Sequence, residues 1–154
     1  VIIAPHNINS NNIERIQSLL DQPSVRYTQY QEYKGNRVLI IDTIGHLTSA
    51  YQYAHYALIG GGFSGNLHNI LEPAVYGLPV FFGPVFHKFP EAQSFIDGGI
   101  GSVVENAEQL SQKINALGDQ QELKQKIEAF IRAQSGATNK IVNHPFIANT
   151  LKQK

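Results

Sequence analysis

The stretch Tyr56-Ala57-Leu58-Ile59-Gly60-Gly61-Gly62-Phe63-Ser64-Gly65-Asn66-Leu67-His68-Asn69-Ile70-Leu71-Glu72-Pro73 decides how this sequence is read. A short apolar run stops at three glycines, and a helical pattern resumes at about Asn69–Tyr76. That is a strand, a loop and a helix. In an open parallel sheet, ligands bind outside the carboxyl ends of the strands, where such a loop lies. Glycine lets the backbone approach a ligand closely and take positive φ. A helix N-terminus adds unpaired N–H groups and a partial positive charge that suit an anion. The loop can therefore hold a phosphate without a metal. It is neither the G-x-G-x-x-G dinucleotide fingerprint nor a P-loop, since no Gly-Lys-Ser/Thr follows. Taken alone, the glycines fit a tight turn as well as a ligand cradle.

Working outward, the same alternation repeats. Strands are expected at 1–4, 25–28, 38–41, 56–59, 80–82 and 101–104, each punctuated by Gly, Pro or a polar turn. Between them lie helical patterns. One, capped by Ser10 or Asn11 and closed by Pro23, carries Ile13, Ile16, Leu19 and Leu20. Another carries Leu47, Ala50, Tyr51 and Ala54, and a third spans 89–96 with Pro90 in its first turn. From Ala107 the pattern is helical, with Leu110, Ile114 and Leu117 on one stripe and Leu123, Ile127, Phe130 and Ile131 on the next. A last segment, 139–154, is interrupted by Pro145. Strands alternating with helices predict an α/β fold, a Rossmann-like parallel sheet with helices on both faces, followed by C-terminal helices. Residues 1–154 are expected to form a single domain, a size within the usual range of about 100–200 residues.

Composition narrows the function. Hydrophobic residues make up 42% of the chain and charged residues 16%, which is enough apolar surface for a core. Twelve basic residues balance twelve acidic ones and are scattered among them, which argues against a nucleic-acid-coating surface. The absence of Cys excludes disulfides, thiolate catalysis and Cys-based zinc sites. The six histidines show no His-x-x-x-His or His-Glu-x-x-His spacing, and there is no Asp-x-Asp, so neither a metal site nor a cofactor is expected. Ser64 lacks the Gly-x-Ser-x-Gly elbow of a hydrolase nucleophile. Tyr27, Tyr30 and Tyr33 recur at period three; an exposed recognition stripe is conceivable, but half-buried rings on a strand and loop are the expected reading. No run is long enough to span a bilayer. The chain opens in mid-strand at Val1 and contains no Met, so it is expected to be a piece of a longer protein.

Glu72 weights the loop toward a site. A carboxylate in the first turn of a helix is favourable to the dipole on structural grounds. It is also placed to accept hydrogen bonds from a ribose diol, as the acidic residue of dinucleotide folds does. His68 and Asn69 lie close by in sequence and read as helix caps when taken singly. Beside three glycines, the three together read as a binding site.

One order of segments now stands out: Asp42-Thr43-Ile44-Gly45, Gly60-Gly61-Gly62-Phe63, His68-Asn69-Ile70-Leu71-Glu72-Pro73-Ala74, Gly77-Leu78-Pro79-Val80, Phe82-Gly83-Pro84 and Lys88-Phe89. This series resembles the C-terminal half of the bacterial Kdo (3-deoxy-D-manno-octulosonic acid) transferases, GT-B glycosyltransferases that use CMP-Kdo as donor. The resemblance runs from Ala4-Pro5-His6 to the C-terminal helices and is most specific over 68–84. Three positions depart from it, one of them Pro5, which directly precedes His6 where relatives often pair that histidine with a basic residue. Ser64-Gly65-Asn66-Leu67 stands where many relatives have a Pro-His-Gly-Gly type of loop, and His46 replaces an acidic residue common after Asp-Thr-x-Gly.

The resemblance implies that Glu72 holds the ribose, while Asn69 and the loop Gly60, Gly61, Gly62, Phe63 and Ser64 surround phosphate and sugar, with His68 alongside. It makes His6 and Lys88 candidate partners for negative charge. It places no catalytic residue in this stretch, because the general base and the acceptor, a lipid A precursor, belong to an N-terminal domain outside it. The implied setting is lipopolysaccharide biosynthesis at the cytoplasmic face of the inner membrane, with membrane association through that N-terminal part and no nucleic-acid partner. This stretch alone is expected to bind donor weakly and transfer nothing. The residues leave two rivals open: another GT-B transferase or epimerase using a UDP- or GDP-sugar, and a non-enzymatic interaction module on the same fold.

Overall fold

The computed structural model describes residues 1–136, 141, 143 and 144. The chain divides into two compact units, the first Val1–Ala54 and the second from His55 onward.

In the first unit, strands β1 (Ile2–Ile3), β2 (Ser24–Arg26) and β3 (Val38–Ile40) form a parallel sheet in the order β1-β3-β2. Ile3 pairs with Ile40, and Val25 with Leu39. The central strand contributes the buried Val38 and Ile40. Helix α1 (Ser10–Ser18) adds the buried Ile13, and Ile3, Ile16 and Leu20 pack against this core. The cap of α1 is Asn9, not Ser10 or Asn11. Asn9 is extended, and its side chain accepts the Asn12 N–H at 2.9 Å. The helix stops at Ser18, well before Pro23, and Leu19, expected on the apolar face, is 69% exposed at the C-cap.

The tyrosine segment differs from expectation. Tyr27–Glu32 is 3-10 helical, and Tyr30 and Tyr33 are 63% and 62% exposed. The segment is two short 3-10 turns broken by a kink at Gln29, and they leave the Tyr30 and Tyr33 rings in solvent rather than half-buried on a strand and loop. The expected helix over 47–54 is likewise split, into α2 (Leu47–Ala50) and a 3-10 turn at Tyr51–Tyr53.

In the second unit, β4 (Ala57–Ile59), β5 (Val80–Phe82) and β6 (Gly101–Val103) form a second parallel sheet in the order β4-β5-β6. The six strands thus fall into two sheets of three. All three residues of β5 are buried, as a central strand covered on both faces requires. Helices α3 (Leu71–Val75), α4 (Pro90–Asp97), α5 (Ala107–Asn115) and α6 (Gln120–Gln134) follow in the β/α alternation. Pro90 occupies the first turn of α4, where its missing N–H costs nothing. Asn106 and Asp119 cap α5 and α6 through side-chain oxygens. Ile127 of α6 is fully buried, and Phe130 meets Phe95 of α4 edge-on at 5.7 Å. Among the described residues no helix is long and apolar enough to cross a membrane. The expected helical segment 139–154 lies almost wholly outside the described residues.

Candidate functional site

The parallel direction of β4 and β5 sends both following loops to the same, carboxyl edge of the second sheet. The first loop runs from Gly60 to Ile70 and the second from Gly83 to Phe89. Their close contact is made by glycine. A methyl group on Gly83 would lie 2.5 Å from the Gly62 carbonyl carbon, and one on Gly62 would lie 2.6 Å from the Gly83 nitrogen. The Val85 N–H donates to the Gly62 carbonyl at 2.7 Å, so the two loops are fastened backbone to backbone.

The three glycines do different work. Gly61 has φ +82°, and a side chain there would collide with the Asn66 carbonyl oxygen at 1.9 Å. Its own carbonyl accepts from the N–H groups of Ser64 and Asn66 and from the Ser64 hydroxyl. The Gly60 carbonyl accepts from His68 N–H at 3.1 Å, closing the base of the loop. Gly60 itself is exposed with nothing within 4 Å of a methyl group. Gly61 and Gly62 are therefore demanded by the loop's own folding, and Gly60 alone is left open to an approaching ligand.

Asn69 bridges the loop and α3. Its Oδ1 accepts the Leu71 N–H at 2.9 Å, and its Nδ2 donates to Glu72 Oε1 at 3.1 Å. This bond orients the half-buried Glu72 carboxylate and leaves its second oxygen as an acceptor. The first turn of α3 offers an anion less than its sequence suggests. Leu71 N–H is engaged, Pro73 has none, and the helix is five residues long. The donors expected of this helix end are thus largely absent, and the Glu72 carboxylate is its more prominent feature.

Lys88, exposed in the turn before α4, makes no ion pair among the described residues. Nine of the ten candidates, Gly60, Gly61, Gly62, Phe63, Ser64, His68, Asn69, Glu72 and Lys88, lie in the second unit, on or directly after these two loops. His6 lies in the first unit, exposed in the bend after β1. Gly83 and Val85 were not singled out from sequence as site residues. The Gly-Pro step closing β5 was their visible signal, read there only as a strand terminus.

The first unit has its own polar cluster at the carboxyl ends of β2 and β3. Asp42 accepts the Thr28 N–H at 3.0 Å and the Thr28 hydroxyl at 2.6 Å. Partial burial pushes the Asp42 carboxyl up, but the Thr28 bonds, its own N–H and the Arg26 charge outweigh this and hold it below the ordinary carboxylate value. His46 shares a hydrogen bond with the Thr43 hydroxyl at 2.9 Å and lies 4.6 Å from the Tyr27 ring. The Asp42–His46 motif is thus occupied in tying β3 to the 3-10 segment. Nearby is an open polar concavity of about 550 Å³, lined by Arg26, Gln29, Gln31, Lys34 and others. None of the ten candidates lines it, and Arg26 there is already bonded twice to Gln17. Among the described residues no group of three or more His, Asp or Glu could hold a metal ion.

A parallel β/α succession with its loops at the carboxyl edge of the strands is a Rossmann-like arrangement. The comparisons with known proteins make this specific. No protein-family model matches the chain. A Kdo transferase of Aquifex aeolicus is 34% identical over 93 residues, covering 58% of this chain and 26% of the relative. A bifunctional glycosyltransferase/methyltransferase of Fusobacterium nucleatum is 24% identical over the whole chain and 25% of its own length. The chain thus spans about a quarter of the curated relatives it matches. Among solved structures, the C-terminal CMP-Kdo binding domain of WaaA from Acinetobacter baumannii superposes with a TM-score of 0.73 at 22% identity, covering 84% of this chain and 72% of that one. The chain is thus similar in sequence to part of known Kdo transferases and in fold to a C-terminal CMP-Kdo binding domain.

Proposed function

We propose that this chain is the donor-binding part of a Kdo transferase, a glycosyltransferase acting in lipopolysaccharide biosynthesis, and that CMP-Kdo is its donor. The observation that carries the reading is the fastening of two loops at the carboxyl edge of β4 and β5, with an oriented carboxylate, Glu72, directly after them. In this reading Glu72 accepts hydrogen bonds from the ribose hydroxyls. Gly60 leaves room for the sugar and phosphate, and Lys88 offsets the charge on the departing phosphate. We read residues 1–154 as a single donor-binding domain, a reading supported by a solved domain that covers 84% of the chain. The general base, the lipid A precursor and association with the inner membrane are contributed through an N-terminal domain. Donor chemistry relying on side chains and backbone groups needs no metal or other cofactor.

A second reading, the donor part of a glycosyltransferase of another kind, is supported by the similarity to the Fusobacterium bifunctional glycosyltransferase/methyltransferase along the entire chain; such an enzyme would be free to use a different nucleotide. Calorimetric titration with CMP, UMP and GMP distinguishes the two. The first predicts preferential binding of CMP, lost on Glu72→Ala; a preference for UMP or GMP would select the second. Equal affinity of wild type and Glu72→Ala for CMP would remove the role given to Glu72.

A further inference from the structure

Phe63 is a large apolar side chain at the tip of the β4 loop, 53% exposed among small and polar neighbours. It is not a loose side chain. Its Cγ lies 2.7 Å from where a methyl on Gly83 would stand, so the bare backbone of Gly83 is what lets the ring settle on the second loop. The Gly62–Val85 hydrogen bond fixes that loop relative to the residue before Phe63. Val85, also exposed, comes within 3.3 Å of a methyl on Gly65 and so reaches the same loop. Phe63 and Val85 therefore give the joined loops an apolar ledge. Three of the loop's polar groups are already engaged: the Ser64 N–H and hydroxyl and the Asn66 N–H all donate to the Gly61 carbonyl.

A phosphate or a sugar finds few groups to bond on such a ledge, whereas a flat π-face finds a rigid apolar surface. Further along the same segment come Asn69, which accepts from the Leu71 N–H and donates to Glu72, and the Glu72 carboxylate, whose second oxygen can accept from a ligand. A ligand with one flat aromatic end and one hydroxyl-bearing end matches this succession, and a nucleoside has both.

The geometry points to Phe63 as the platform on which the base of the bound nucleotide stacks, held in place by the close approach of Gly83. This rests on the reading of these loops as a nucleotide-sugar site. Every base has a π-face, so Phe63 contributes affinity and does not choose the base.

The test uses the 154-residue chain and its Phe63→Ala, Phe63→Leu and Phe63→Trp variants, titrated with CMP, UMP and ribose 5-phosphate. The base protons of CMP are followed by NMR. Phe63→Ala is expected to weaken CMP and UMP alike, by about 5- to 150-fold, and to leave ribose 5-phosphate unchanged. The base protons should move upfield on wild type and Phe63→Trp, but not on Phe63→Leu, which keeps an apolar side chain without a ring. CMP affinity unchanged in Phe63→Ala, or equal losses of CMP and ribose 5-phosphate, would overturn the assignment. If wild type binds no nucleotide while remaining folded, the donor reading itself falls and this inference with it. If wild type binds CMP but its base protons do not move, only the platform role falls.

Discussion

The three consecutive glycines should respond to the same substitution in three different ways. In Gly60→Ala the new methyl meets nothing within 4 Å, and φ is not in the left-handed region. Stability should change by no more than about 0.5 kcal/mol, as at an unencumbered surface site. In Gly62→Ala the methyl stands 2.6 Å from the Gly83 nitrogen and 3.1 Å from its Cα. Both are backbone atoms that no rotamer change can move aside, so the cost is that of overpacking, about 1–3 kcal/mol. Gly61→Ala meets a backbone oxygen at 1.9 Å and also holds alanine at φ +82°. Left-handed strain of about 1–2 kcal/mol adds to an overpacking cost of about 1–3 kcal/mol, giving about 2–5 kcal/mol in all. Urea denaturation followed by far-UV circular dichroism gives the three values from the midpoints at constant m. Equal effects of Gly60→Ala and Gly61→Ala would refute the assignment of distinct roles within the triplet.

Other predictions test the frame around the site. Asp42 has a lowered folded-state pKa, so the stability it confers is fully present above the ordinary carboxylate value and is lost as pH falls through the lowered one. Asp42→Asn should therefore destabilise at pH 7 by about 1 kcal/mol, allowing for partial exposure, and the gap from wild type should close in strong acid; a gap independent of pH in urea melts would contradict this. Asp119 accepts two N–H groups at the start of α6, so Asp119→Ala should cost about 1 kcal/mol by the same assay; no loss would show that the cap contributes nothing to folding. Ile127 is fully buried on α6, and Ile127→Ala should cost about 2–5 kcal/mol in thermal or urea unfolding; a cost below about 1 kcal/mol would mean that α6 is not part of the core.

Much of the second unit was legible in the sequence because its signals agree at each level. Val80-Phe81-Phe82 is an apolar run bounded by Pro79 and Gly83, and it forms the buried central strand. Pro90 marked the start of α4 within a residue. The Gly60–Glu72 segment was recognisable as a strand-loop-helix unit, and the structure gathers it with Lys88 at one sheet edge. What could not be read was which contacts the loop residues make. That Gly61 and Gly62 are required by neighbouring backbone, and Gly60 is not, depends on Asn66 and Gly83, which chain spacing alone does not bring together. The bond from Asn69 to Glu72, and the engagement of the Leu71 N–H by Asn69, were hidden for the same reason. In the first unit the misreadings were local. Asn7, Asn9, Ser10, Asn11 and Asn12 can all cap a helix, so composition could not choose Asn9. The tyrosines of 27–33 have the β-favouring composition of a strand, and only the hydrogen bonding of a 3-10 turn distinguishes the two.

The most direct test of the donor-site account is an amide chemical-shift titration of the chain with CMP. The account predicts that saturable shifts concentrate at 60–64, 69–72 and 85–88. Shifts confined instead to the polar concavity around Arg26, Gln29 and Lys34, or no shift anywhere at millimolar CMP, would contradict it.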